Sequence, residues 1–407
     1  MNELVASRPS ISGKPAISLA CICLSLALAL SGCGGDVSDG TDSATTDQSN
    51  LELLGKKLFE DTNLSEPAGQ ACASCHDAGH SFTDPDQNKP TSEGLHPGLF
   101  GKRNTPTAAY AQFSPPFHFD NGDETYVGGQ FLDGRSSVLE DQAKQPFLNP
   151  VEMANLNKQS VVDKVRNASY ATLFKQVFGS TSLDDVDQAF ERVVQAIATF
   201  ERTRTFAPFT SKFDFFLKGQ ARLSEQEMRG MALFTGANKG NCAACHPITP
   251  LADGTPALFT DFTYDNLGVP RNPDNRFYTQ GVGFNPDGMN FVDLGLGGAL
   301  GIAEQNGKFK VPTLRNNAVT APYMHNGYFT DLRSVVQFYN DRDVRPRCAD
   351  PIWTRAVDAQ SQNCWPAAEV EETVNHDELG HLGLTDQEID DIVAFLKILT
   401  DGWRAAP

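Results

Sequence analysis

Two cysteine pairs in the chain are each closed by a histidine. Cys72-Ala73-Ser74-Cys75-His76 is the first, and Cys242-Ala243-Ala244-Cys245-His246 is the second. Thiols at this spacing share one turn, where both can form thioethers to the vinyl groups of a single haem. The histidine that follows then lies beneath the iron as proximal ligand. A Cys-x-x-Cys pair alone would also suit zinc or a redox dithiol. Two complete copies, each with its histidine and in a chain that starts with an export signal, favour covalent haem c. The expectation is two haems c. Cys72, Cys75 and His76 would hold the first, and Cys242, Cys245 and His246 the second, with His76 and His246 as iron ligands.

The chain has 407 residues and a formal net charge of −18. The length is a prior for two domains. The acidic balance argues against a nucleic-acid partner, whose phosphates need a basic face. It reads as a soluble acidic surface.

Residues 1–32 read as a lipoprotein signal peptide. Arg8 and Lys14 precede the apolar run Ala16–Leu30, and Leu30-Ser31-Gly32-Cys33 is a lipoprotein cleavage box. Export agrees with covalent haem attachment, which takes place outside the cytoplasm. Cys33 would then carry lipid and hold the protein on a membrane of the bacterial cell envelope, facing the periplasm. Acyl chains anchor with about 0.8 kcal/mol per buried CH₂. Gly34 after Cys33 points to the outer membrane. Residues 33–50 are rich in Gly, Asp, Ser and Thr and read as a flexible tether.

The elements that must position the haems are mostly helical. Leu51, Leu54 and Leu58 form one stripe ahead of the first cysteine pair. Ahead of the second, Ser224 with Glu227 is a capping box, Met228, Met231 and Phe234 follow, and Gly236 can end the helix. Helix, short loop and attachment motif, seen twice, imply one duplicated plan. Val161–Phe178 and Leu183–Phe200 read as core helices. Thr330 can cap a helix whose stripe is Leu332, Val335, Val336 and Tyr339, which leaves Tyr339 as core residue or iron ligand. Residues 342–379 interrupt the helical pattern, and Cys348 and Cys364 within them read as a disulfide. Thr385 with Glu388 opens a closing helix, about 385–400, through Ile389, Ile392, Val393, Leu396 and Leu399. Residues 82–101 and 247–308 are long irregular loops, and loops of such length are usually functional.

Four further motifs occur in a fixed order. They are Asp133-Gly134-Arg135, then Asn149-Pro150-Val151-Glu152-Met153, then Leu314-Arg315-Asn316, then Ala321-Pro322-Tyr323-Met324-His325-Asn326-Gly327. With the two haem motifs, they make the chain from Leu51 onward resemble the bacterial dihaem cytochrome c peroxidase family, and within it the MauG-like, methylamine-utilisation branch. The resemblance implies a mostly α fold of two cytochrome-c-like haem domains with long irregular loops, here 51–222 and 223–407, with the closing helix returning to the first. It implies that the first haem reacts with hydrogen peroxide and the second handles electrons.

By the same resemblance, Glu152 is the distal carboxylate that moves a proton between the peroxide oxygens. Gln142 and Pro146 belong to the same pocket. Tyr339 matches the branch's tyrosine ligand to the second iron, where ordinary members have methionine. Asn104, Thr320 and Pro322 match a calcium site, with Thr320 and Pro322 binding through carbonyl oxygens. Two positions depart from the pattern. Leu132 replaces the tryptophan between the haems, removing an oxidisable side chain. Leu95 stands where ordinary members carry a removable histidine ligand, with His96 beside it in a loop of different length. The implied activity is peroxide reduction at the expense of a redox partner protein or small-molecule reductant. The competing reading is a membrane-tethered electron carrier with both irons six-coordinate.

Overall fold

Hydrophobic stripes at helical spacing make this chain mostly α. The computed structural model describes residues 40–405, so the signal segment and Cys33 lie outside the described residues. Helix α1 (Gly40–Glu60) buries Leu54 and Leu58. It begins well before Leu51, so residues 40–50, expected as flexible tether, are helical. Once a packed turn is nucleated, adding polar residues upstream costs little. Helix α2 (Cys72–Cys75) is a single turn carrying the first cysteine pair.

Helix α3 (Leu139–Leu148) contains Pro146. The segment 161–178, expected as one helix, is two: α4 (Lys158–Asn167) and α5 (Ala171–Phe178). Ala168 is extended, with ψ 153°, and breaks the run. The break turns Phe174 of α5 into the same core as Val161 and Val165 of α4. Helix α6 (Val186–Glu201) starts at Asp185, whose side chain accepts the Gln188 N–H. Its Phe190, Val193, Val194 and Ile197 complete this first core.

A second core gathers around Phe213 of α7 (Lys212–Leu217) and Phe234 of α8 (Glu225–Thr235). The expected Ser224–Glu227 capping box is formed. Helix α9 (Gly295–Leu300) lies in the long loop. Helix α10 (Leu332–Asp341) is capped by Asp331, not Thr330, because the Asp331 side chain reaches the Ser334 N–H. Helix α11 (Ala356–Ser361) belongs to the insertion, which is closed by the Cys348–Cys364 disulfide. Helix α12 (Asp386–Lys397) begins at the Thr385–Glu388 box.

The closing helix packs on the second half, contrary to the expectation that it returns to the first. Its Ile389, Ile392, Phe395 and Leu396 join Phe234, Leu332 and Val336 in the second core. A Cβ added to Gly230 of α8 would lie 1.9 Å from the Asp391 carbonyl oxygen of α12. That close crossing fixes the helix where it is. It meets the 51–222 segment through Phe395, which lies edge-on to Phe213 of α7 at 5.7 Å, and the chain beyond it also reaches back: the Tyr110 hydroxyl donates to Asp401 at 2.7 Å.

Among the described residues, sheet is confined to two antiparallel ribbons, β1 (His118–Asp120) with β2 (Thr125–Val127), and β3 (Tyr264–Asp265) with β4 (Phe309–Lys310). Backbone bonds from Lys310 N to Leu132 O (2.8 Å) and from Asn104 N to His325 O (2.8 Å) interleave loops from both halves. Ala44–Pro407 is accordingly one compact unit.

Candidate haem sites

The first attachment turn presents two free thiols, Cys72 and Cys75. Burial pushes both up to about 12, with help from the Glu201 charge at Cys72 and the Asp84 charge at Cys75. Both thiols are held in the protonated form in these surroundings. The His76 Nδ1 lies 2.9 Å from the Phe82 carbonyl oxygen. The ring N–H donates there, so Nε2 carries the lone pair for an iron. Burial lowers the His76 pKa and keeps the ring neutral.

The second turn repeats the device. Its Cys242 and Cys245 are free thiols, also pushed up to about 12 by burial. The His246 Nδ1 lies 2.8 Å from the Phe259 carbonyl oxygen. Burial holds the ring down to about 4. Phe82 and Phe259 both have positive φ, 60° and 55°, which turns each carbonyl toward its histidine. Sequence reading missed these supports. The signal was present: Phe82-Thr83-Asp84 and Phe259-Thr260-Asp261 repeat the same three residues.

His246 and Tyr339 line one cavity of about 350 Å³, together with Cys242 and Cys245. Helix α10 delivers Tyr339 to it. Burial raises the Tyr339 pKa, and the two cysteines of the attachment turn are the next causes. Two thiols, a neutral imidazole and a phenol around one cavity fit a covalently attached haem, which Cys242, Cys245, His246 and Tyr339 would hold. Leu132, Phe309 and Lys310 form part of its wall. Lys310 was not anticipated. Its Nζ reaches Ser114 Oγ at 3.4 Å and donates to the Gly129 carbonyl. Burial brings the ammonium down to about 7.

Asn104, Thr320 and Pro322 line the same cavity. The Asn104 side-chain amide touches the Pro322 carbonyl oxygen. This contact ties together two loops far apart in sequence. Next to them His325 stacks on Phe309, with ring centroids 3.8 Å apart, and its Nε2 stands 3.8 Å from the buried Glu369 carboxylate.

Glu152 sits on the turn that follows α3. Its N–H donates to Asn149 O at 3.0 Å, and its carbonyl accepts the Leu95 N–H at 3.1 Å. Burial raises its carboxyl pKa, against the pull of Arg135 and Asn149. Its charge also acts on Cys72 and Cys75, so it stands beside the first attachment turn. Pro146 is tied to this turn, because its carbonyl accepts the Met153 N–H at 3.2 Å. Gln142 lies one turn earlier on α3 and is half-buried. His96 is exposed at the tip of its loop, while Leu95 reaches toward Gly69 just before the turn. A second buried acid, Glu201 at the end of α6, was not anticipated. Burial pushes it up to about 8.

Fold and sites together define a mostly helical dihaem c-type protein. Comparison with known proteins agrees. Residues 49–222 match the family model for di-haem cytochrome c peroxidase. The chain is 41% identical to the methylamine utilization protein MauG of Paracoccus denitrificans, over 86% of this chain and 88% of that one. It is 32% identical to the cytochrome c551 peroxidase of Nitrosomonas europaea, over 72% of this chain and 73% of that one. The crystal structure of the diheme peroxidase BthA from Burkholderia thailandensis superposes with a TM-score of 0.70 at 31% identity, covering 86% of each chain. The chain belongs to the dihaem cytochrome c peroxidase family, in its MauG-like branch. It is a dihaem oxidoreductase with a cytochrome-c-like fold and two haems c.

Proposed function

We propose that this protein reduces hydrogen peroxide at the first haem and draws electrons, through the second, from a redox partner protein or small-molecule reductant. The carrying observation is Glu152, a half-buried carboxyl whose pKa is raised by desolvation and whose charge acts on the first cysteine pair. The bound haem supplies the iron that holds peroxide and takes up its oxidising equivalents. Glu152 would take a proton from hydrogen peroxide and return it to the departing oxygen. Its raised pKa brings carboxylate and carboxylic acid closer in energy, which suits a group that must be base and then acid. The Glu152 N–H bond to Asn149 and the Leu95 bond to the Glu152 carbonyl fix the backbone from which the carboxyl projects. Gln142 and Pro146 shape the same side of the pocket.

His246 and Tyr339 would hold the iron of the second haem. A phenolate ligand favours the higher oxidation states of iron. Asn104, Thr320 and Pro322 would hold one calcium ion through oxygen donors. Cys33 carries lipid and keeps the protein on a membrane, facing the periplasm. Among the described residues no helix is long and apolar enough to cross a membrane.

The test is to add hydrogen peroxide to the diferric protein and follow the haem spectrum. A rapid change that decays with turnover of an added reductant supports the reading. An inert spectrum with no turnover sinks it. Glu152→Gln should slow the peroxide step by about 10²–10⁴.

A further inference from the structure

The long loop 247–308 and the disulfide-closed insertion 342–379 meet at the far wall of the second cavity. His325 lines that cavity, as does Glu369. Glu369 comes from the insertion, and its side chain is only 4% exposed. The Tyr278 hydroxyl donates to Glu369 Oε1 at 3.1 Å. The Glu369 Oε2 atom points to His325 Nε2 at 3.8 Å and has no hydrogen-bond partner among the described residues. On the outer side, the Tyr278 ring meets Trp353 edge-on, with centroids 5.7 Å apart. Trp353 is half-buried and flanked by exposed Ile352. The guanidinium of Arg271 stands 4.8 Å from the Tyr278 ring and 5.1 Å from the Trp353 ring, and it is neutralised by Glu369 at 3.4 Å.

We infer that Trp353 and Tyr278 form a one-electron relay from the protein surface to the second haem, with Glu369 as the proton partner of the Tyr278 phenol. The inference deepens the proposed function, since it rests on the second haem being the one that receives electrons. Tyrosine and tryptophan are the side chains here that can give up an electron, and a phenol does so when a base takes its proton at the same time. Glu369 is that base, already hydrogen-bonded to the phenol. Burial and then the Glu369 charge raise the Tyr278 pKa, so the phenol stays protonated at rest.

Each transit balances as follows. The Tyr278 O–H bond breaks, its electron passes inward along Glu369 and His325, and its proton goes to Glu369 Oε1. Trp353 gives an electron to the Tyr278 oxygen radical, and Glu369 returns the proton. Trp353 releases its indole proton to solvent. An external one-electron donor, with a proton from water, restores it. Two transits supply the two electrons that, with two protons, convert one hydrogen peroxide to two waters. Leu132 lies outside this path, so the relay does not require an indole between the haems.

The test uses the ferrous holoprotein. A flash-generated ruthenium tris-bipyridine oxidant withdraws an electron at the surface, and the rate of haem oxidation is read optically. Tyr278→Phe and Trp353→Phe should each slow that rate by about tenfold or more, and Trp353→Tyr should restore it. Resting haem spectra and melting temperature of the variants should match the wild type, which excludes misfolding as the cause. In a second arm, excess peroxide without reductant should add oxygen to Trp353, read by peptide mass spectrometry, and Tyr278→Phe should suppress that addition. Equal flash rates in wild type and both phenylalanine variants overturn the relay. A wild type inert to peroxide overturns the proposed function instead, and leaves the flash rates as the test of the relay.

Discussion

Arg315 and Asp214 form a two-point ion pair in the core, at 3.0 and 2.9 Å, with both side chains 1% exposed. The same guanidinium donates through Nε to the Ala257 carbonyl at 2.7 Å. It thereby braces the strand-like segment whose next carbonyls include Phe259, the oxygen that orients His246. The Arg of the Leu-Arg-Asn motif is thus a support for the second haem's proximal ligand, two contacts removed from it.

Breaking this pair leaves a buried charge without its partner. Asp214→Ala should cost about 3–5 kcal/mol of stability. Burial pushes the Asp214 carboxyl up, but the Arg315 guanidinium outweighs it and holds the group below the ordinary carboxylate range. A depressed carboxylate contributes stability above its unfolded pKa and loses it as pH falls through the folded one. The variant and the wild type should therefore converge in strongly acidic solution. Urea unfolding of the holoprotein at neutral and acidic pH measures both effects, and a loss below about 1 kcal/mol at neutral pH contradicts the assignment.

Glu201 works in the opposite direction. Its folded pKa is raised from 4.5 to about 8, because it is buried at the end of α6. A raised carboxyl makes its full relative contribution below the unfolded value, and that contribution is lost as pH rises toward the folded one. Stability should fall between these limits by about 1.4 kcal/mol per pH unit at most. Glu201→Gln should flatten this slope and exceed the wild type in stability at mildly alkaline pH. Thermal unfolding across the range decides it. Parallel curves for the two proteins would mean that Glu201 ionises freely.

Replacing Tyr339 tests the proposed ligand. Tyr339→Met exchanges a phenol oxygen for a thioether, which favours ferrous iron. The midpoint potential of the second haem should rise in spectroelectrochemical titration, while that of the first stays near its wild-type value. An unchanged second potential, with an unchanged ferric spectrum, would return Tyr339 to the status of a core residue.

Calcium removal tests the oxygen donors of Asn104, Thr320 and Pro322. Elemental analysis should find one calcium per chain, and a strong chelator should remove it with a loss of peroxide turnover that added calcium restores. Asn104→Leu should no longer retain the ion. Full turnover in calcium-free protein would remove the ion from the proposal.

Sequence alone determined what is local and covalent. The two attachment motifs need only five residues each, so no packing was required to read them. The Ser224–Glu227 and Thr385–Glu388 boxes formed as expected, because capping is settled within one turn. The Cys348–Cys364 pairing was legible because these two thiols share one short insertion. The tertiary structure decided what depends on distant segments. It chose Asp331 over Thr330 as the α10 cap, and it cut residues 161–178 in two so that Phe174 could turn inward. It laid α12 on α8, because the Cβ-less Gly230 lets these two backbones approach as few other positions could. It aimed the Phe82 and Phe259 carbonyls, set the Lys310 ammonium on the Gly129 carbonyl, buried Glu201, and brought Tyr278 into contact with both Glu369 and Trp353. Side-chain type and spacing encode chemistry over a few residues. Burial and long-range contact are sums over the whole folded chain, and only the fold carries them out.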